Sequence, residues 1–159
     1  MLLRVIGVGK VREKYLIQGI DEYRKRLAGV AQVEVVEVPD EPLPEPWSEA
    51  LAERAREAEG ERIRKQIKPG SYVVALAIEG KQLKSEELAA LLDRQMLSGY
   101  SDFTFIIGGA SGLAAAVLKE ADFRLSFGPL TFPHQLMRLM LVEQLYRAVK
   151  ISRGEPYHH

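Results

Sequence analysis

All three histidines lie at or beyond position 134, and two of them close the segment Arg153-Gly154-Glu155-Pro156-Tyr157-His158-His159. Imidazole exchanges protons near neutrality because its ordinary pKa is about 6.5. The same segment carries a phenol and an arginine. It therefore offers a proton acceptor, a ring for stacking or hydrogen bonding, and a planar cation. Chain ends usually lose order, so a frayed end or the stump of an affinity tag is the competing reading. The glycine and proline upstream argue for a fixed bend instead.

Two other stretches have the composition of ligand sites. Gly108-Gly109-Ala110-Ser111-Gly112 follows an apolar run and precedes a helical pattern. In open α/β sheets ligands sit outside the carboxyl ends of strands, where glycines let the main chain approach them. The same glycines would also serve a tight strand-to-helix turn. Ser126-Phe127-Gly128-Pro129-Leu130-Thr131-Phe132-Pro133-His134-Gln135 combines two prolines, a glycine and aromatics. Such an irregular loop exposes amides and carbonyls beside apolar faces, which suits an adenine ring, although a plain connector would look similar.

Other chemistries are excluded. Gly7-Val8-Gly9 lacks the third glycine of the dinucleotide fingerprint, because Arg12 stands there, and no GxxxxGK[ST] loop occurs. The absence of cysteine removes disulfides, thiolate metal sites and cysteine nucleophiles together. The formal net charge of zero gives no bulk signal for nucleic acid. Its distribution is uneven: Glu34 to Glu61 holds ten acids against Arg54 and Arg56, whereas both ends are mildly basic.

The elements that must position these residues follow from hydrophobic period. Strands are predicted at Leu2–Val8, Gln32–Val38, Ser71–Ile78, Phe103–Ile107 and Arg124–Phe127. Helices are predicted at Glu13–Leu27, from an N-cap at Ser48 to about Ile67, from a cap at Ser85 to Leu97, at Leu113–Ala121, and from Pro133 to about Val149. Pro39, Pro42, Pro44 and Pro46 mark an extended loop. Alternating strands and helices predict an α/β fold with a largely parallel sheet, and 159 residues predict one domain spanning positions 1–159. The last helix is apolar nearly all round, which predicts burial on more than one side and a second subunit as its cover. Glu143 and Arg147, four residues apart, predict a helix-surface pair. The lack of a long apolar run predicts a cytoplasmic protein with no membrane span.

Several segments together carry a resemblance. Arg4-Val5-Ile6-Gly7-Val8-Gly9-Lys10, Phe105-Ile106-Ile107-Gly108-Gly109, the Leu125-to-Gln135 loop, Glu143-Gln144-Leu145-Tyr146-Arg147-Ala148 and the RGEPYHH ending look like the RlmH (YbeA) family of SPOUT-class methyltransferases acting on 23S ribosomal RNA. The resemblance spans the whole chain and disfavours the tag reading, with His159 standing where the family has lysine or arginine.

The resemblance implies a SPOUT fold whose C-terminal segment forms a deep trefoil knot, and a homodimer. It implies S-adenosyl-L-methionine as cofactor, contacted by Leu76, Gly108, Phe127, Gly128, Pro129, Leu130, Thr131 and Phe132, with no metal. The implied reaction methylates N3 of pseudouridine 1915 in helix 69 of 23S rRNA, on the assembled 70S ribosome. An imide N3 carries a proton, so its lone pair is usable only as that proton leaves. His158 is the expected proton acceptor, Tyr157 a group that stacks on or hydrogen-bonds the base, and Arg153 a contact to phosphate or a uracil carbonyl. Arg138 and His134 either touch one of the ligands or are a solvated arginine and a helix-capping histidine. The alternatives are a ribosome-associated SPOUT binding or assembly factor without catalysis, and a tRNA-directed SPOUT methyltransferase.

Overall fold

The computed structural model describes residues 1–158. Along the chain it runs β1 (Leu2–Val8), α1 (Lys14–Leu27), β2 (Gln32–Val38), α2 (Glu49–Arg64), β3 (Tyr72–Gln82), α3 (Ser85–Leu97), β4 (Asp102–Ile107), α4 (Ala115–Glu120), β5 (Phe123–Ser126) and α5 (His134–Ser152). The strands form one sheet in the order β2-β1-β4-β3-β5. Each neighbouring pair is parallel, which is the expected α/β architecture.

Alternation along each strand sorts the core into two layers. Leu3 and Val5 of β1, Tyr72 and Val74 of β3, and Phe103, Phe105 and Ile107 of β4 pack with Leu27, Leu88, Leu141 and Leu145. The intervening Ile6, Val8, Val73 and Ile106 turn to the other face and meet Ile63, Ala114 and Val117. Helices α1, α3 and α5 therefore cover one face, and α2 and α4 the other. Both faces are buried, so the strands read as nearly continuous apolar runs.

Most of helix α5 is covered within the one chain, while Leu139 and Met140 border an open cavity. The helix packs between α1 and α3 and reaches β1 and β4 beneath. Leu141, Val142 and Leu145 are wholly buried within the one chain, each stabilising the fold by about 1.5–3 kcal/mol. Among the described residues the large exposed apolar side chains, such as Tyr15, Trp47, Ile78, Leu97 and Leu130, all lie off this helix. The apolar circumference reflects a helix seated between two others on a sheet.

Boundaries differ where tertiary partners intervene. Ser48 caps α2 as expected, accepting from Leu51 N at 3.2 Å. Ser85 does not cap α3: it is the first helical residue, and its hydroxyl donates to Gln144 of α5 at 2.7 Å. Lys84 takes the cap position, its amide donating to Glu87 at 2.8 Å. Pro133 is likewise the N-cap of α5 rather than its first helical residue. Strand β3 runs past Ile78 to Gln82 because Leu76 and Lys81 both pair with Leu125 across a bulge. Gly80 permits that irregularity, since a Cβ there would stand 2.6 Å from the Arg124 carbonyl oxygen.

Candidate functional site

At the carboxyl ends of β3, β4 and β5 the chain opens into a cleft of about 830 Å³. Its walls are Leu76, Ala77 and Ile78 from β3, the run Gly108–Gly112 after β4, the loop after β5, and His134 and Met137 from α5. Of the residues expected around a cofactor, Leu76, Gly108, Phe127, Gly128, Leu130, Thr131 and Phe132 all line it. Pro129 lies in the same loop but not on the wall.

Backbone geometry builds this cleft. Gly109 and Gly112 form an isolated antiparallel bridge, with Gly112 N donating to Gly109 O at 3.0 Å. A Cβ on Gly108 would stand 2.8 Å from the Gly112 carbonyl carbon, so the glycine lets the loop close on itself as well as leaving its main chain accessible. Gly128 has φ 103°, a conformation that side chains rarely adopt. Its amide donates to Ser126 Oγ at 3.0 Å, while that hydroxyl donates to Ile78 O at 2.8 Å. The loop after β5 is thus tied to the strand beside it.

Arg138 is neither solvated nor directed at a ligand. It is wholly buried and bonds Glu37 Oε2 at 2.9 Å and the carbonyls of Val8 and Gly9 at 2.7 Å each. Burial pulls its pKa down while Glu37 pulls it up. The clamp ties α5 to the carboxyl ends of β1 and β2. Gly7 makes room for it: a Cβ there would fall 2.3 Å from Arg138 Nε. His134 lines the cleft, its pKa lowered first by burial and then by the Arg138 charge, with Asp40 opposing. No side chain of α5 caps its own N-terminus, so His134 does not act as a cap.

The C-terminal segment lies elsewhere. Tyr157 donates to Glu143 Oε2 at 3.0 Å, and its hydroxyl is 3.4 Å from that of Tyr23. Arg147 bonds Glu143 at 2.8 Å, completing the expected i,i+4 pair, and lies 4.8 Å over the Tyr157 ring. His158 is held at both nitrogens, with Arg147 Nη1 3.1 Å from Nδ1 and Glu86 Oε1 2.6 Å from Nε2. A guanidinium only donates, so Nδ1 accepts and Nε2 carries the proton given to Glu86. The pKa of Glu86 is lowered first by its own amide and then by His158. Burial, followed by Tyr23 and Glu143, raises the Tyr157 pKa far above the ordinary phenol value, so it stays a neutral donor. Arg153 caps the end of α5 and pairs with Glu155 at 2.6 Å, remote from the cleft wall. Arg153 and then Lys150 hold the Glu155 carboxyl down at about 2. His159 lies outside the described residues.

Beside this segment is a second cavity of about 600 Å³ between α1, α3 and α5. Tyr23 and Glu143, the partners of Tyr157, are on its wall. Leu125 and Phe127 line both spaces, so the cavity and the cleft adjoin. Within one chain, none of Arg153, Tyr157 and His158 lines the cleft.

The family model described as "Predicted SPOUT methyltransferase" matches residues 1–158. The chain belongs to this SPOUT methyltransferase family. Relatives named "Ribosomal RNA large subunit methyltransferase H" extend over 99% of this chain and 99% of their own length. Those from Listeria monocytogenes, Carboxydothermus hydrogenoformans and Enterococcus faecalis are 56%, 54% and 52% identical over 158 residues. A probable methyltransferase from Bordetella pertussis aligns with a TM-score of 0.59 at 17% identity, covering 92% of this chain and 95% of that one. A probable methylase family protein from Haemophilus influenzae gives 0.53 at 14% identity, over 99% of this chain and 70% of that one. These two likenesses establish a shared fold. Among the described residues of this SPOUT methyltransferase, no helix is long and apolar enough to cross a membrane.

Several contributors to this geometry escape the sequence reading. Glu37 is the counter-charge of Arg138, and Glu86, in the first turn of α3, is the partner of His158. Glu59 carried a legible signal: Ala52, Ala55, Glu59 and Ile63 share the buried stripe of α2, so a carboxyl stands on an apolar face. It accepts from Glu41 N at 2.9 Å, and burial raises its pKa.

Proposed function

We propose that this SPOUT methyltransferase uses S-adenosyl-L-methionine to methylate N3 of pseudouridine 1915 in helix 69 of large-subunit ribosomal RNA, with the assembled 70S ribosome as substrate. The observation that carries the reading is the full-length match, above 50% identity, to relatives named as methyltransferases of that RNA, together with the cleft at the strand ends. Its volume, about 830 Å³, suits a nucleoside-sized cofactor. Leu76, Phe127 and Phe132 supply apolar walls, and the loops after β4 and β5 supply main-chain amides and carbonyls. The sulfonium would provide an activated methyl group, and the protein must align the acceptor nitrogen and accept its proton.

We assign proton acceptance to His158, base contact to Tyr157 and a phosphate or carbonyl contact to Arg153. In this tautomer His158 takes a proton only at Nδ1, so Arg147 must first let go of that nitrogen, while Nε2–H stays on Glu86. The raised pKa of Tyr157 supports a donor or stacking role for it, not a basic one. We further infer a homodimer. The apolar cavity between α1, α3 and α5 is a seat for a second copy, and the separation of segment and cleft within one chain supports a site shared between subunits. The passage of the chain from β5, at one edge, to α5 clamped beside β1 supports the C-terminal knot. The ribosomal substrate makes the cytoplasm the place of action.

The test compares methyl transfer to 70S particles, protein-free 23S RNA and an isolated helix 69 hairpin, all from a strain lacking the modification. Efficient transfer to N3 on 70S particles alone is expected. A neutral protein gains little from phosphate neutralisation by itself, so it needs the preformed shape of the ribosome. Equal rates on the hairpin would remove the ribosome from the recognition, and methylation elsewhere would replace the assigned target.

A further inference from the structure

We propose that the loop Gly9–Glu13 and the first turn of α1 form an RNA-contact surface beside the cleft, with Lys10, Arg12 and Lys14 neutralising phosphates and Tyr15 stacking on a base or ribose. The proposal rests on the ribosomal RNA reading above and names a surface that this reading leaves undefined.

Three observations converge on this loop. The first is rigidity. The Arg138 guanidinium holds the carbonyls of Val8 and Gly9 at 2.7 Å each, and Gly9 N donates to Val38 O at 2.8 Å. Glu37, the carboxylate paired with Arg138, also accepts from Val11 N at 2.8 Å. A wholly buried arginine and one carboxylate thus fix the main chain on both sides of Lys10. Val11 points inward and is buried.

The second is exposure without pairing. Lys10, Arg12 and Lys14 are all exposed. Further along α1, Arg24 pairs with Asp21 at 3.5 Å and Arg26 with Glu22 at 3.7 Å. Among the described residues no carboxylate pairs with the three cations at its start. Glu13 and Asp40 share this face, so the surface is moderately rather than strongly basic. Tyr15 is 67% exposed, which is a large fraction for an aromatic ring and leaves it open for stacking. Cations interleaved with an aromatic are what a single-stranded or loop RNA requires.

The third is place. A Cβ on Gly9 would stand 3.9 Å from His134 Nε2, and His134 lines the cleft. The loop therefore borders the space where the methyl group is delivered. Its rigid backbone presents the cations at a set distance from that space, and the partial positive charge of the α1 N-terminus adds to them.

The test measures binding to 70S particles and to a uridine-rich single-stranded oligoribonucleotide over a range of salt. The proteins are wild type, Lys10→Ala/Arg12→Ala, Tyr15→Ala and a control, Lys65→Ala/Lys68→Ala. The control residues are exposed and lie at the opposite ends of the strands. Losing two phosphate contacts should flatten the slope of log affinity against log salt by about 1.4 to 2 on either probe. Tyr15→Ala should weaken binding about fivefold or more, with cofactor affinity by calorimetry unchanged. Slopes equal to wild type, or an equal loss in the control, would overturn the proposal. Dissociation of an oligomer by Tyr15→Ala, seen by sedimentation, would overturn it too, by making the patch a protein interface. The oligoribonucleotide slope reads this surface even if ribosomal methylation fails, so the two readings fall separately.

Discussion

The cleft and the C-terminal segment, to which the proposed reaction assigns cofactor and base, are built in opposite ways. The cleft is shaped by main chain: a bridged glycine turn, a glycine at φ 103°, and a loop tied to β3 through one serine. The segment is held by side chains, through Glu86, Glu143, Arg147 and Tyr23 around Tyr157 and His158. Main-chain geometry moves little and suits a site that must keep one shape. Ion pairs and phenol hydrogen bonds at partly exposed positions are individually weak, which is compatible with the proposed release of Tyr157 and His158 toward an RNA base.

The contrast breaks first at His158. His158→Ala should lower turnover on ribosomes by about a hundred- to ten-thousand-fold, the range of a general base, while cofactor affinity by calorimetry stays at the wild-type value. A wild-type rate would make the segment structural and send the proton to water. Mixing this variant with a cleft-defective Gly108 variant sharpens the result. Regained activity in the mixture requires a site shared between subunits.

Arg138→Met addresses the clamp beneath the cleft. Glu37 is exposed and keeps the Val11 amide. The loss therefore falls on the Val8 and Gly9 carbonyls, left without their buried donor, and the variant should lose roughly 2–4 kcal/mol of stability in urea unfolding. A loss under about 1 kcal/mol would mean that water replaces the guanidinium at both carbonyls and the clamp is dispensable.

Gly108→Ala sets a side chain against the Gly112 main chain. Cofactor affinity should fall by roughly tenfold or more as the turn opens, about 1.4 kcal/mol, with the circular dichroism spectrum still folded. Undiminished affinity would remove the turn from the site and, with it, the contrast.

The smallest effect is expected at Glu59. Burial raises its pKa in the folded protein above the ordinary 4.5. The folded state then binds more protons than the unfolded one, so stability is greatest below that ordinary value and falls as pH rises toward the raised one. Glu59→Gln removes this dependence and keeps an acceptor for Glu41 N. Its stability relative to wild type should therefore increase from pH 4 to pH 7 in denaturant titrations. A difference independent of pH would show that Glu59 titrates normally.

The sequence by itself determined the alternation of elements, the two-faced strands and the two ligand-like loops at Gly108–Gly112 and Ser126–Gln135, while Leu76 joined them only through the family resemblance. Those features depend on local rules. Period, glycine at positive φ and proline placement act over a few residues, and ligand position follows from where parallel strands end. What only the tertiary structure decided were pairings across long separations. Arg138 reads as a surface cation until Glu37 and the carbonyls of Val8 and Gly9 surround it, and Gly7 reads as half a fingerprint until the guanidinium occupies its missing Cβ. Helix α5 reads as uncovered until α1 and α3 flank it. Ser85 reads as a cap until Gln144 takes its hydroxyl. Tyr157 and His158 read as free side chains of a C-terminal segment until Glu86 and Glu143 hold them beside α3 and α5. A polar side chain goes to the partner that satisfies its charge or hydrogen bond, and that partner is chosen by the packing of the whole chain.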